Sequence, residues 1–244
     1  PAEVLAPLEA SGIHSLTPAV DATNLSNSEF GQPTHVFDAE KVIEPIVIRL
    51  STKGEKAWLL FEEEARDIPE GIMVIADQEK ILAIAGVIGC EDSKTTEETT
   101  RIILESACFE PVSVRKGGRA LSIHTDSLAR FERGSDPSYP LVGAGRVVHL
   151  LETYSSWTRV GRTTKVGDWT NPHRKITVAT SALNTFLKLD LSETEIIERL
   201  DRYGFSTSKE DSNLKTEVPS HRLWDMEKVA DIYEEIAKSI GYNN

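Results

Sequence analysis

Residues 156–173 carry Gly161, Gly167, Pro172 and several threonines, but neither the 3.6-residue period of an amphipathic helix nor the two-residue period of a half-buried strand. A stretch without a packing period reads as a hydrated linker, and 244 residues are enough for a compact domain on either side of it. The expected division is a first domain over 1–155, the linker, and a second domain over 174–244.

In the first part, Val4, Leu5 and Leu8 share one face of a helix over 2–10, which Ser11 and Gly12 stop. A loop is expected after them. Short β-rich runs then recur at 45–51, 57–61, 73–77, 82–89 and 101–109, with Gly, Pro or charged turns between them. A helix over 140–154 closes this part, with Leu141, Val148 and Leu151 as its apolar stripe and Arg146 and Glu152 facing outward.

The second part opens on a strand at 175–179. Ser192 and Glu195 form a capping box for a helix bearing Ile196, Ile197 and Leu200, which Gly204 ends. A polar turn is expected at 208–213. A closing helix over 226–240 then buries Val229, Ile232, Tyr233, Ile236 and Ile240, with Gly241 as its cap. The fold class is therefore α+β: a sheet-rich domain followed by a small helical or α+β one.

The formal net charge of −12 argues against a surface that wraps nucleic acid, because neutralising phosphates needs a basic face. Any RNA contact is expected to be local, or lent by another part of a larger assembly. No apolar run approaches the roughly 18 residues of a membrane span, and no signal peptide is visible. The expectation is a cytoplasmic protein with no membrane partner. Cys90 and Cys108 stand in neither a CxxC nor a Cys/His ligand spacing, which speaks for a reducing compartment and against structural zinc.

Two segments exceed what amphipathic patterning demands. They are Gly31-Gln32-Pro33-Thr34-His35-Val36-Phe37-Asp38 and His124-Thr125-Asp126-Ser127-Leu128-Ala129-Arg130-Phe131-Glu132-Arg133-Gly134. A third, Val218-Pro219-Ser220-His221-Arg222-Leu223-Trp224-Asp225, leads into Asp231-Ile232-Tyr233-Glu234-Glu235 and on to Gly241-Tyr242-Asn243-Asn244. The first two resemble the GQPxHxFD and HTxAS-xRxERG-DP signatures in the B3/B4 domain of bacterial-type phenylalanyl-tRNA synthetase beta subunits. The third looks like the close of the B5 domain of the same subunit.

The resemblance covers nearly the whole chain, most specifically 12–38, 72–137 and 216–244. It implies a layered β/β/α editing domain followed by B5, without the anticodon-binding and class II synthetase-like parts. In the family the ATP site belongs to the alpha subunit. The chain is thus expected to belong to a phenylalanine-tRNA ligase and to be, by itself, at most an aminoacyl-tRNA ester hydrolase.

By residue chemistry alone, His35 reads as a satisfied loop histidine and Asn24 as a turn residue. The resemblance instead places Thr23, Asn24 and His35 in a pocket that hydrolyses tyrosine wrongly esterified to phenylalanine tRNA. Glu105 follows the apolar run Ile102-Ile103-Leu104, and strand alternation puts it on the face of Ile103 and Ala107. A carboxylate there must find a donor or shift its pKa; the other reading is an edge-strand Glu facing solvent. At the matching family position a Glu bonds the phenolic hydroxyl that separates tyrosine from phenylalanine. A pocket built for that hydroxyl leaves its polar groups unpaired when the hydroxyl is missing.

Ala85, Gly86 and Gly89 resemble part of the family's AxGGxxGG segment, supplying small residues where ring and backbone approach; a tightly packed strand is the alternative. Cys90 stands where the family has its second glycine. Thr125 and Ser127 match pocket-lining positions, with Ser127 in place of the usual alanine. With neither metal-ligand spacing nor a Ser-His-Asp order nearby, the expected attacker is a positioned water, with no cofactor required. Arg115, Lys116, Arg119, Arg130 and Arg133 form a basic cluster suited to the acceptor-end phosphates of the tRNA, or else a solvated charged face.

Asp225, Asp231, Glu234 and Glu235 gather around the start of the closing helix, where negative charge suits the helix dipole. The resemblance associates the matching four with a magnesium ion shared with the alpha subunit of an α2β2 assembly. A rival reading is a non-catalytic structural or interaction module with a decayed pocket, which Ser127 and Cys90 keep open. A nucleic-acid-binding B5 is a third, opposed by the acidic closing helix.

Overall fold

The structure, a computed structural model, describes residues 1–241; Tyr242, Asn243 and Asn244, which end the third motif and the expected second domain, lie outside the described residues. The chain packs as two compact units, Pro1–Lys165 and Val166–Asn244, and the fold is α+β in each. Residues 155–174 hold no helix or strand.

In the first unit, α1 (Ala2–Ala10) buries Val4 and Leu8. Next comes α2 (Pro18–Phe30), where the sequence predicts a loop. Its start carries clear signals: the Thr17 side chain accepts from the Val20 N–H, Pro18 sits in the first turn, and Asp21 is acidic near the N-terminus. Its interior is mostly small and polar, so no wide apolar stripe betrays it. Gly31, at φ 66°, ends the helix in the left-handed region and turns the chain into the first strand.

The strands are β1 (Thr34–Asp38), β2 (Val47–Leu50), β3 (Lys56–Ala57), β4 (Arg66–Asp67), β5 (Met73–Ala76), β6 (Ile81–Ile84), β7 (Ile88–Gly89) and β8 (Ile102–Ser106). They pair antiparallel as a sheet of order β2-β5-β6-β7, a short β3-β4 pair, and a β1-β8 ribbon. Helices α3 (Pro111–Leu121), α4 (Asp126–Phe131) and α5 (Pro140–Tyr154) complete the unit.

The ribbon lies between two cores. Ile102 and Leu104 pack with Val4, Leu8, Ala22, Leu25, Val147, Leu150 and Leu151 of the helices. Phe37, Ile103 and Ala107, on the opposite face by strand alternation, pack with Val74, Ile75, Leu82 and Ile84 of the sheet. Each large apolar side chain so buried contributes roughly 1.5–3 kcal/mol.

Several local expectations are corrected. The run 57–61 is a strand only as far as Ala57, after which Leu59 makes an isolated bridge with Cys90. The run 82–89 is not one strand: Gly86 at φ 70° turns the chain between β6 and β7. The buried side of α5 is Gly143, Val147, Leu150 and Leu151, while Leu141 is 67% exposed. The apolar count along α5 suggested a stripe, but its packing against α2 and β8 set a different face inward. Arg146 does not simply face solvent; it pairs with Glu29 of α2 at 2.6 Å.

The second unit runs β9 (Lys175–Ala179), α6 (Thr180–Leu187), α7 (Glu193–Asp201), β10 (Ser206–Glu210), β11 (Asn213–Glu217) and α8 (Val229–Ile240). The sheet order is β10-β11-β9, antiparallel throughout. The Ser192–Glu195 capping box forms. Most of the predicted polar turn at 208–213 is a hairpin instead, masked by the exposed polar side chains of β10. The closing helix begins at Val229 rather than 226, because the Asp231 carboxylate accepts the N–H groups of Glu227 and Lys228. Ile176, Leu183, Ile196, Leu214, Ile232 and Ile236 share its core, whereas Val229 is 37% exposed.

Candidate active site

His35 and Glu105 are directly opposed in the β1-β8 register. Opposed residues of an antiparallel pair point to the same side, with Cβ atoms about 4.5–5.5 Å apart. That side is the one that Phe37 and Ile103 turn to the sheet core. His35 Nε2 and Glu105 Oε1 are buried and have no hydrogen-bond partner among the described residues.

Burial alone drives their titration apart. It lowers the His35 imidazole to about 4 and pushes the Glu105 carboxyl up to about 7, because a low-dielectric setting disfavours the charged form of each. The solvent-facing alternative for Glu105 is excluded.

The walls around His35 include residues that motif reading missed. Phe37 meets the imidazole edge-on, ring centroids 4.6 Å apart. A Cβ on Gly89 would lie 2.6 Å from His35 Cε1, 2.7 Å from Nε2 and 3.1 Å from Leu60 Cδ1. Gly89 therefore lets the ring rest on the β7 backbone, and Leu60, whose N–H donates to the Gly89 carbonyl at 3.0 Å, approaches the same point of that backbone. The alternation Thr34-His35-Val36-Phe37 could have pointed to Phe37; nothing local pointed to Leu60.

The other predicted residues serve varied roles. Ala85 is buried, and a Cβ on Gly86 would meet Phe109 at 3.0 Å, Val114 at 3.0 Å and Phe131 at 3.2 Å. Gly86 thus serves a tight turn against packed rings. Thr125 caps α4: its hydroxyl accepts from the Leu128 N–H at 3.0 Å and donates to the Val87 carbonyl at 2.7 Å. Ser127 is half-buried on α4. Thr23 and Asn24 stand on α2, which packs on β1; the buried Thr23 hydroxyl donates to the Val20 carbonyl at 2.7 Å, and Asn24 is half-buried. Two surface hollows, about 470 Å³ beside Phe186 and Tyr233 and about 250 Å³ beside Thr96 and Trp157, are lined by neither His35 nor Glu105.

Among the basic residues, Lys116, Arg119, Arg130 and Arg133 are exposed on or just after α3 and α4. Arg115 is already engaged, donating to the Glu132 carbonyl at 2.6 Å.

The four carboxylates expected to hold magnesium, Asp225, Asp231, Glu234 and Glu235, are each already partnered. Arg222 donates to Asp225 and to Glu235, each at 2.7 Å, and holds the buried Glu235 carboxyl below its ordinary range. Asp231 is bound by two backbone N–H groups, which depress its pKa, and Glu234 pairs with Lys238 at 2.7 Å. Among the described residues no three His, Cys, Asp or Glu side chains are grouped to hold a metal. These carboxylates, taken up by Arg222, Lys238 and the helix start, do not fit a magnesium ion.

The two units correspond to known domain types: residues 1–156 match the family described as B3/4 domain, and residues 176–242 the one described as tRNA synthetase B5 domain. The chain belongs to the B3/4 domain family, with a B5 domain after it. It is 34% identical to the phenylalanine--tRNA ligase beta subunit of Chlamydia muridarum over 98% of this chain and 30% of that one. It is 35% identical to the protein of the same name from Carboxydothermus hydrogenoformans, over 97% of this chain and 30% of that one. The chain thus spans about a third of the length of these curated relatives. A crystal structure of an N-terminal fragment of the phenylalanyl-tRNA synthetase beta-subunit from Pyrococcus horikoshii is similar with a TM-score of 0.45 and 16% identity, over 92% of this chain and 65% of that one. No helix is long and apolar enough to cross a membrane among the described residues.

Proposed function

We propose that this chain is the editing and B5 portion of a phenylalanine-tRNA ligase beta subunit, working in the cytoplasm with an alpha subunit and phenylalanine tRNA. Its first unit, on this reading, hydrolyses tyrosine wrongly esterified to that tRNA. The observation that carries the proposal is the half-buried pair His35 and Glu105 on one face of the ribbon, whose Nε2 and Oε1 atoms are buried without a partner among the described residues, in a chain of the B3/4 family.

Glu105 supplies the specificity. Its carboxyl, poised near 7, has an ionised fraction at neutral pH that accepts the phenolic hydroxyl of tyrosine. Phenylalanine would leave that buried oxygen unpaired, which costs about 1–3 kcal/mol for a buried polar group. His35, held to about 4, is neutral at pH 7 and too weak a base to keep a proton. It therefore orients the attacking water by accepting its hydrogen bond, and the terminal ribose hydroxyl assists. Gly89 lies directly against His35; Thr23, Asn24, Ala85, Gly86, Thr125 and Ser127 enter this reading through the family's motifs alone, and Lys116, Arg119 and Arg130 suit the acceptor-end phosphates. No cofactor enters this hydrolysis.

The test is deacylation of tyrosyl- and phenylalanyl-esterified phenylalanine tRNA by the chain. Faster loss of the tyrosyl ester is expected, and Glu105→Ala should abolish the preference. Equal rates for the two esters sink the proposal. A second reading, a non-catalytic interaction module, draws on the rings packed against Gly86 and on the hydroxyl of Thr125 being engaged as a cap. It expects a folded unit that deacylates neither ester.

A further inference from the structure

We propose that Gln32 is a positioning residue for the His35–Glu105 pair, its amide clamping the start of β1 to the end of β8. The inference rests on the reading of that pair as the hydrolytic site. Gln32 is 1% exposed. Its Nε2 donates to the Pro33 carbonyl at 3.0 Å and to the Ala107 carbonyl at 2.8 Å. The backbone ladder at this end of the ribbon finishes with Thr34 opposite Ser106. The bond from Gln32 to Ala107 therefore ties the strands just beyond their last pairing, and Ala107 is two residues past Glu105.

Both amide partners are carbonyls, so the NH₂ group must face them and Oε1 must face away. Oε1 is in fact buried without a partner among the described residues. Packing alone would not favour this arrangement, since an apolar side chain of the same length fills the space without an unpaired oxygen. What only the amide supplies is the pair of donors that bridges the strands.

The clamp is held from outside by α5. A Cβ on Gly143 would lie 2.7 Å from Gln32 Cγ and 3.5 Å from Ser106 Oγ, so the helix backbone rests against the glutamine stem. Neighbouring bonds fix that approach: Ser106 Oγ donates to the Pro140 carbonyl at 2.7 Å, and Ser26 Oγ to the Gly143 carbonyl at 3.2 Å. No short-range motif links Gln32, Ala107 and Gly143; the tertiary fold assembles them.

The experiment follows the Glu105 carboxyl by carbon-13 NMR through a pH titration of the whole chain, its signal assigned by its loss in Glu105→Gln. Gln32→Met removes the donors at similar volume, and Gly143→Ala pushes on the clamp from the helix side. Val142→Ala, on the exposed side of the same helix, is the control. With folding checked by circular dichroism, Gln32→Met and Gly143→Ala should move the midpoint down from about 7 toward the ordinary carboxylate range, because a loosened ribbon end admits water. Val142→Ala should leave it in place. An unmoved midpoint in both clamp variants, or an equal movement in the control, overturns the proposal. If Gln32→Met fails to fold, Gly143→Ala decides alone. Deacylation by the unaltered chain judges the hydrolytic reading separately: its absence removes that reading, and the titration still decides the clamp.

Discussion

His35 of β1 and Glu105 of β8 face each other across an antiparallel ribbon, yet burial makes them neutral rather than an ion pair. Between about pH 4 and 7 the imidazole has shed its proton and the carboxyl still keeps its own. The two opposed groups do not satisfy each other, and one buried atom on each, His35 Nε2 and Glu105 Oε1, has no partner among the described residues.

The pair sets a pH profile for stability. The folded Glu105 carboxyl titrates at about 7 against an ordinary 4.5, so the unfolded chain ionises first as pH rises. Stability from this group is full below about 4.5 and is lost as pH rises toward 7. His35 has the opposite sign: lowered from 6.5 to about 4, it loses stability as pH falls through that window. At about 1.4 kcal/mol per pH unit, each effect is at most about 3.5 kcal/mol. Urea unfolding should show Glu105→Gln gaining on the unaltered chain at pH 8 relative to pH 5. Parallel behaviour at both pH values would mean that Glu105 titrates like an exposed carboxylate.

Gly89→Ala should displace the His35 ring, since the new methyl would sit 2.6 Å from Cε1. A loss of about 1–3 kcal/mol is expected from this overpacking, read by thermal unfolding. The His35 ring resonances should move as well. Unchanged stability together with an unchanged histidine spectrum would show that the ring does not rest on Gly89.

In the second unit, Glu235 is buried and takes its shorter bond from Arg222, at 2.7 Å, and a longer one from Lys238, at 3.3 Å. Arg222→Met should cost up to about 3–5 kcal/mol, because it leaves that carboxylate only the longer bond. Asp225→Asn, at an exposed partner, should stay within about 0.5–1 kcal/mol. Pairing Arg222→Met with Glu235→Met should recover much of the loss. Denaturant curves in which the two single variants lose equally would refute a buried pair.

Residues 158–170 are exposed and carry no helix or strand. Limited proteolysis should cut there first and release two fragments that each keep a cooperative unfolding transition. Early cleavage inside β5 or α7, or fragments that unfold on release, would contradict two independent domains.

What the sequence determined by itself was local. The Ser192–Glu195 cap, the stripe of Ile232 and Ile236, and the face shared by Ile103, Glu105 and Ala107 follow from hydrogen bonds and side-chain directions set over a few residues. The resemblance of the segments around His35 and Thr125 reached further, to a family and an expected site, but not to what each side chain would touch. α2 escaped notice because its small and polar residues carry no apolar period. Only the tertiary structure decided that Gln32 bonds Ala107, that Gly89 carries the His35 ring, and that Arg222 takes up Glu235. Those partners come together through packing over long sequence separations, where a carboxylate's nearest cation, or a glycine's nearest ring, depends on how whole elements stack rather than on spacing along the chain.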